Sequence, residues 1–69
     1  MDKYTLEIVL ESKYYVHFHL YVNDVLTTNQ QEISMNKSEF ERFFKVLFKG
    51  SKGNCVKIYS YNPPTQFYP

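Results

Sequence analysis

Residues 4–22 read YTLEIVLESKYYVHFHLYV, and apolar and polar side chains alternate along most of this segment. An alternation with a period of two residues is typical of β-strands that bury one face. In the first strand the apolar face consists of Tyr4, Leu6, Ile8 and Leu10. In the second strand it consists of Tyr14, Val16, Phe18, Leu20 and Val22. The two segments are therefore predicted to form an antiparallel hairpin.

The connection between the two predicted strands, residues 11–13, sets the register of this hairpin. With three connecting residues, Ile8 lies opposite Val16, and Glu7 lies opposite His17. Each apolar residue then meets another apolar residue on the same face. Because a slip of one residue would turn the whole apolar set toward solvent, the pattern specifies the register strongly.

The chain after the hairpin gives a less regular pattern. Asn23 and Asp24 predict a tight turn, since both residue types tolerate the left-handed backbone conformation. Val25 and Leu26 can begin a third strand, but its continuation would place Thr, Asn and Gln over the apolar face of the hairpin. Residues 27–32 are therefore predicted to form either a short edge strand that leaves the sheet or a loop.

A helix is predicted to begin after Asn36. Asn36 is a favoured N-cap residue, and Glu39, three positions later, completes a capping box. The apolar residues that follow recur at helical spacing and give the helix one Phe-rich face. This face consists of Phe40, Phe43, Phe44 and Leu47. Gly50 is predicted to stop the helix, because glycine readily takes the left-handed conformation that ends many helices.

A final strand is predicted over residues 55–61, after a turn at residues 51–54. Its alternation assigns Val56 and Ile58 to the inner face of the sheet. The residues assigned to its outer face are Lys57, Tyr59 and Tyr61. The last strand is thus expected to add two tyrosines to the sheet face that the helix leaves uncovered.

These elements predict an α+β fold, with a small antiparallel sheet in the order β-β-(β)-α-β and one amphipathic, Phe-rich helix packed on one face. Residues 1–62 are expected to form a single domain, and residues 63–69 a C-terminal tail rich in proline and aromatic residues. A chain of this length buries only about 60% of the surface that its unfolded form exposes. Its seven tyrosines and six phenylalanines compensate, since each ring can bury roughly 150–250 Å².

Charge and cysteine content restrict the class of function. Eight Lys and Arg against seven Asp and Glu leave a formal net charge of +1, whereas a dedicated duplex-DNA binder usually carries a strongly basic face. The sequence contains no apolar run that could span a membrane and no recognisable signal peptide. Cys55 is the only cysteine, which is typical of a reducing compartment. We therefore expect a cytoplasmic protein without a membrane partner.

Tyrosine and histidine side chains are concentrated on the predicted outer face of the sheet. The six residues are Tyr15, His17, His19, Tyr21, Tyr59 and Tyr61. Tyrosine is enriched at protein interfaces, because its ring buries apolar area while its hydroxyl stays hydrogen-bonded. Single-stranded nucleic acid also stacks on such rings. A structural alternative is that the tyrosines simply pair across neighbouring strands.

Few residues suit catalysis or metal binding. His17 and His19 have a spacing that zinc sites use, but the sequence fixes no third ligand beside them. Pairing with Glu7 and Thr5 across the hairpin accounts for both histidines. Nucleophilic catalysis needs a base beside the nucleophile, and Cys55 has none in the sequence pattern. A chain of this size also has little room for a pocket of roughly 300 Å³ or more, so we predict no enzymatic activity, no metal and no cofactor.

The predicted element order and the small size resemble those of several small inhibitor proteins encoded by phages. This resemblance concerns topology, and it implies an inhibitor or accessory factor of a phage or mobile element that binds another protein. The sequence therefore predicts a small non-catalytic protein-binding module that uses its aromatic sheet face. Single-stranded nucleic-acid binding through the same face is the alternative function, and a homodimer is compatible with both.

Overall fold

The computed structural model describes residues 2–27 and 32–60. Within these ranges the chain forms five strands and one helix. The strands are β1 (Tyr4–Glu11), β2 (Tyr15–Val22), β3 (Val25–Leu26), β4 (Ile33–Asn36) and β5 (Cys55–Tyr59), and the helix is α1 (Lys37–Gly50). Tyr61 and the predicted tail, residues 63–69, lie outside the described residues.

The strands form one mixed sheet, and the predicted α+β class is confirmed. The strand order is β3-β2-β1-β5, and β4 pairs with β2 on the same side as β3. Every pairing with β2 is antiparallel, whereas β1 and β5 are parallel. The sequence predicted a purely antiparallel sheet, and this prediction is wrong for one pairing, that of β1 with β5. The chain crosses the sheet through α1, so that β5 arrives beside β1 in the same direction.

The hairpin of β1 and β2 forms as predicted, but its register differs. Ile8 lies opposite Phe18, and Glu7 lies opposite His19, which is two residues further along β2 than predicted. The register also shifts by one residue between Ile8 and Leu10. A bulge of this kind turns the residues beyond it to the other face. As a result, Leu10 leaves the inner face and is 48% exposed.

The tight turn of the hairpin explains the change of register. The backbone N–H of Ser12 donates to the carbonyl oxygen of Tyr15 (2.9 Å), and the N–H of Tyr15 donates to Ser12 Oγ (3.0 Å). Only Lys13 and Tyr14 then remain in the turn, instead of the three residues expected. Tyr14, predicted to lie on the inner face, is consequently exposed.

The edge of β2 that faces away from β1 pairs with two short strands, β3 and β4. The predicted turn at Asn23 and Asp24 is confirmed, with φ angles of 52° and 69°, and it leads into the two-residue strand β3. After the polar stretch the chain returns to β2 as β4, a strand that the sequence pattern did not predict. Ile33 there lies opposite Phe18, and Met35 lies opposite Val16. Ile33 and Met35 thus provide apolar cover along this edge of β2, while residues 28–31, part of the stretch predicted to form an edge strand or a loop, lie outside the described residues.

The helix begins as predicted but ends differently. The side chain of Asn36 accepts a hydrogen bond from the backbone N–H of Glu39 (2.9 Å), which confirms the N-cap. At the other end, Gly50 is the last helical residue and not the left-handed stop. The left-handed residues are Lys52, with φ 55°, and Gly53, with φ 90°.

The hydrogen bonds after α1 form a Schellman motif. The N–H of Lys52 donates to the carbonyl oxygen of Lys49 (3.2 Å), and the N–H of Gly53 donates to that of Phe48 (2.7 Å). This pair of bonds satisfies carbonyl groups that a helix end leaves without partners. The motif requires a left-handed residue at position 52, which is a lysine in this chain. Because glycine usually occupies this position, the sequence predicted the end of the helix at Gly50 instead.

The two faces of β5 are the reverse of those predicted. Cys55, Lys57 and Tyr59 pair with Tyr4, Leu6 and Ile8, and they lie on the inner face with α1. Val56 and Ile58 lie on the outer face. Lys57 is accommodated inside because its Nζ lies 3.6 Å from Oε2 of Glu41 and 4.7 Å from the centroid of the Phe44 ring, both on the helix.

The core lies between the inner face of the sheet and α1. Phe18 is at its centre, with ring centroids 5.0 Å from Phe40 and 5.9 Å from Phe43. The buried residues of the core are Leu6, Ile8, Val16, Phe18, Phe40 and Cys55. In the part of the chain that the structure describes, no helix is long and apolar enough to cross a membrane. The helix thus covers one face of the sheet, and it leaves the opposite face uncovered.

Candidate functional site

The candidate site is the sheet face opposite α1, which we call the open face. Its side chains come from β1, β2 and β5 in register with one another. On these three strands the open face consists of Thr5, Glu7, Leu10, Tyr15, His17, His19, Tyr21, Val56 and Ile58. Leu26 of β3 and Ser34 of β4 lie opposite Tyr21 and His17 and border the same face. Because α1 packs on the inner face, none of these residues contributes to the core between helix and sheet.

Four of the six side chains predicted to bind a partner lie together on this face. They are Tyr15, His17, His19 and Tyr21, which alternate along β2. Tyr15 is 52% exposed, and the other three are partly buried. Tyr59 is also exposed (53%), but it lies on the helix side of β5 and therefore does not belong to the open face.

Sequence reasoning missed three apolar residues of the open face. Leu10, Val56 and Ile58 are 48%, 48% and 45% exposed. Leu10 lies on this face because of the bulge in β1. Val56 and Ile58 lie on it because Cys55 is buried on the inner face, and alternate residues of β5 face opposite sides of the sheet. Cys55 could have indicated which residues of β5 face the core, since free cysteine is among the most buried residue types. Residues 55, 57 and 59 would then be assigned to the inner face.

A tyrosine–carboxylate pair lies near the middle of the open face. The hydroxyl of Tyr21 donates a hydrogen bond to Oε1 of Glu7 (3.0 Å). This hydrogen bond raises the pKa of the Tyr21 hydroxyl, and partial burial and the negative charge of Glu7 raise it further. The pair therefore fixes the Tyr21 ring in one orientation and satisfies its hydroxyl without a ligand.

The two histidines of the open face have separate neighbours. Nδ1 of His17 lies 3.3 Å from Oε1 of Glu32, just before β4, while His19 lies opposite Glu7 on β1. The predicted pairing of His17 with Glu7 is thus wrong, because the hairpin register is shifted by two residues. Among residues 2–27 and 32–60, no group of three or more His, Cys, Asp or Glu side chains could hold a metal ion.

The sheet itself separates the cysteine from the histidines. Cys55 is 2% exposed and lies under the helix, whereas His17 and His19 lie on the opposite face. Burial raises the pKa of the Cys55 thiol, and the positive charge of Lys57 opposes this effect without cancelling it. A thiol that keeps its proton and has no imidazole on its side of the sheet is not an activated nucleophile.

A second candidate is a surface cleft of about 380 Å³ between the hairpin turn and the start of α1, larger than expected for this chain. It is lined by Lys13, Tyr14, Asn36, Lys37, Ser38, Glu39 and Arg42. Several of these groups are already engaged. Lys37 lies 3.2 Å from Glu11, Lys13 lies over the Tyr14 ring, and Asn36 caps the helix. The cleft contains no histidine or cysteine, so it offers no thiol or imidazole for catalysis.

Comparison with known proteins gives no relative for this chain. No protein-family model matches it, and neither a curated protein nor a solved structure matches it significantly.

Proposed function

We propose that this chain is a small non-catalytic protein-binding module that binds its partner through the open face. The observation that carries the proposal is the exposure of this face, where Leu10, Tyr15, Val56 and Ile58 are each about half exposed on one side of a rigid sheet. Apolar surface of this kind on a small domain often marks a protein interaction site. In this role the chain would occupy a surface of its partner, as an inhibitor or accessory factor does.

The chemistry of the open face favours a protein over single-stranded nucleic acid. Nucleic-acid platforms combine several stacking rings with a basic groove. Among the described residues of the open face, Tyr15 is the only ring that is more than half exposed, and the Glu7 carboxylate lies near the middle. Branched apolar side chains such as Val56 and Ile58 suit a protein surface better than a row of bases. The free, buried Cys55 supports a reducing compartment, and we propose the cytoplasm as the site of action.

The experiment is capture of partners from a lysate of the cell that encodes the chain, with and without nuclease. The test variant is Tyr15→Ser combined with Ile58→Ser, and the matched control is Tyr59→Ser, which removes an equally exposed tyrosine from the helix side. We expect one retained protein, insensitive to nuclease. Its affinity should fall about tenfold or more in the test variant, because buried aromatic contacts dominate such interfaces.

Three outcomes would contradict this proposal. Loss of the partner after nuclease treatment would indicate nucleic-acid binding. Equal binding by the test variant would remove the open face as the site, and a specific loss in the Tyr59 variant would move the site to the helix side. Thermal unfolding of each variant checks that the substitutions leave the fold intact.

A further inference from the structure

The lysine and arginine side chains of the protein, eight in number, avoid the open face. Six of them lie on α1, directly after it or on the inner face of the sheet, namely Lys37, Arg42, Lys45, Lys49, Lys52 and Lys57. The other two lie at the ends of the hairpin. There Nζ of Lys3 lies 3.1 Å from Oδ1 of Asp24, and Nζ of Lys13 lies 5.5 Å from the centroid of the Tyr14 ring. Apart from histidines, the one ionisable side chain with a formal charge that β1, β2 and β5 place on the open face is therefore Glu7.

The Glu7 carboxylate can accept further hydrogen bonds. Glu7 is partly buried, and its Oε1 accepts one hydrogen bond from the Tyr21 hydroxyl (3.0 Å). An ionised carboxylate offers about four acceptor positions. The lysine ion pairs among the described residues go to other carboxylates, those of Asp24, Glu11 and Glu41. Within the described part of the chain, Glu7 thus carries a negative charge that no lysine or arginine balances.

Apolar surface surrounds this carboxylate. Ile58 lies directly opposite Glu7 on β5 and is 45% exposed. Val56, two residues earlier on the same strand, is 48% exposed. On the β2 side, the hydrogen bond to Glu7 holds the Tyr21 ring beside the carboxylate. When a partner covers such apolar side chains, water is excluded, and a charge pair between the two proteins becomes stronger than it would be in water.

We infer that the protein bound by the open face presents an arginine side chain to Glu7, within an apolar patch that covers Val56 and Ile58. This inference rests on the proposed function and adds the chemistry of the partner. A guanidinium group is planar, donates two parallel hydrogen bonds to a carboxylate and stacks on aromatic rings such as that of Tyr21. Because the lysines and arginines of this chain lie elsewhere, the open face does not repel a basic partner surface.

Selection of peptides on the full chain tests the inference. The probe is a random peptide library displayed on phage, and the immobilised protein is the wild type. We expect the selected peptides to be enriched in arginine flanked by apolar residues, relative to the unselected library. One selected peptide is then synthesised and titrated into the wild type and its variants by calorimetry.

Glu7→Gln is the test variant, because it removes the charge while its amide oxygen can still accept the Tyr21 hydrogen bond. It should weaken binding of the peptide by about tenfold or more. Glu39→Gln is the matched control, which removes the same charge from an exposed residue of α1. The control should bind the peptide as the wild type does, and thermal unfolding checks that both variants are folded.

A substitution in the peptide tests whether the arginine contacts Glu7 directly. Replacing the peptide arginine by alanine should weaken binding to the wild type by about tenfold or more. The same replacement should have little effect on binding to Glu7→Gln, because two substitutions that remove one contact are not additive.

Two outcomes would overturn the inference. One is a selection without enrichment of arginine, and the other is an equal loss from the peptide substitution in the wild type and in Glu7→Gln. The double variant Tyr15→Ser/Ile58→Ser separates this failure from failure of the proposed function. Peptides that lack arginine but bind this double variant more weakly would leave the open face as the binding site. Peptides that bind the double variant as tightly as the wild type would contradict both proposals.

Discussion

At the scale of single residues, burial determines how readily the Cys55 thiol ionises. Cys55 begins the last strand, pairs with Tyr4 and is closed off by the helix. Its thiol is accordingly harder to ionise than a thiol in water. The consequence is a pH-dependent contribution to stability, because the thiol of the unfolded chain is free to ionise at its ordinary pKa of 9.0.

The free energy of unfolding is therefore expected to fall in alkaline solution. The pKa of Cys55 is higher in the folded than in the unfolded state. The contribution of Cys55 to the free energy of unfolding is therefore complete below about pH 9, and it is lost as the pH rises through the folded-state pKa. Urea unfolding from about pH 8 to about pH 10.5 measures this loss. Cys55→Ala should lose less stability than the wild type over this range, and parallel curves for the two proteins would contradict the assignment.

The hydrogen bond between Tyr21 and Glu7 gives a second prediction at this scale. Glu7→Ala should lower the pKa of Tyr21 toward its ordinary value of 10.0, because the hydrogen bond is the main cause of the shift. Glu7→Gln should lower it less, since the amide oxygen can still accept the bond. Ultraviolet titration, with Tyr21→Phe to isolate the signal, gives both values. An unchanged titration in Glu7→Ala would show that the bond does not form.

At the scale of secondary-structure elements, the end of α1 shows that the effect of a glycine depends on its position in the backbone. Both glycines of the chain lie in this region, but Gly50 is helical with open space around it, whereas Gly53 has a φ of 90°. A side chain at position 50 should therefore help the helix, and one at position 53 should strain the backbone.

Substitution of the two glycines by alanine tests this contrast. Gly50→Ala should raise the free energy of unfolding by about 0.5–1 kcal/mol, because alanine loses less conformational freedom in a helix. Gly53→Ala should lower it by about 1–2 kcal/mol, because the left-handed conformation is unfavourable for a residue with a Cβ atom. Denaturant unfolding measures both. Destabilisation by Gly50→Ala would instead support a left-handed stop at Gly50.

The features that the sequence predicted correctly are mostly local, although two other local features, the position of the hairpin turn and the end of α1, were misplaced. The hairpin, the Asn23–Asp24 turn and the Asn36 cap each depend on neighbouring residues, and all three are confirmed. The bulge in β1, the return of the chain as β4 and the orientation of β5 depend on pairing with distant segments. For the same reason the open-face side chains of β2 were predicted, whereas Tyr59 was assigned to the wrong face.

The whole molecule depends on a single thin core. At roughly 0.05–0.15 kcal/mol per residue, a domain of this length is stable by about 3–10 kcal/mol. Phe18 is fully buried, and its ring contacts two phenylalanines of the helix. One substitution at this position can therefore remove most of the stability of the fold.

Phe18→Ala is expected to cost about 3–5 kcal/mol and to leave much of the protein unfolded at room temperature. Phe48→Ala is the matched control, because Phe48 is nearly half exposed at the edge of the core, and it should cost clearly less. Circular dichroism and urea unfolding compare the two. Similar losses for both variants would place the centre of the core elsewhere.

The parallel pairing of β1 with β5 also bears on how the protein is made. On the ribosome the hairpin emerges first, but β1 lacks its second neighbour, and Cys55 is missing from the core, until residues 55–59 have left the exit tunnel. A nascent chain that stops before this point carries β1 as a bare edge beside an incomplete core. The sheet is thus completed only after residues 55–59 have been synthesised.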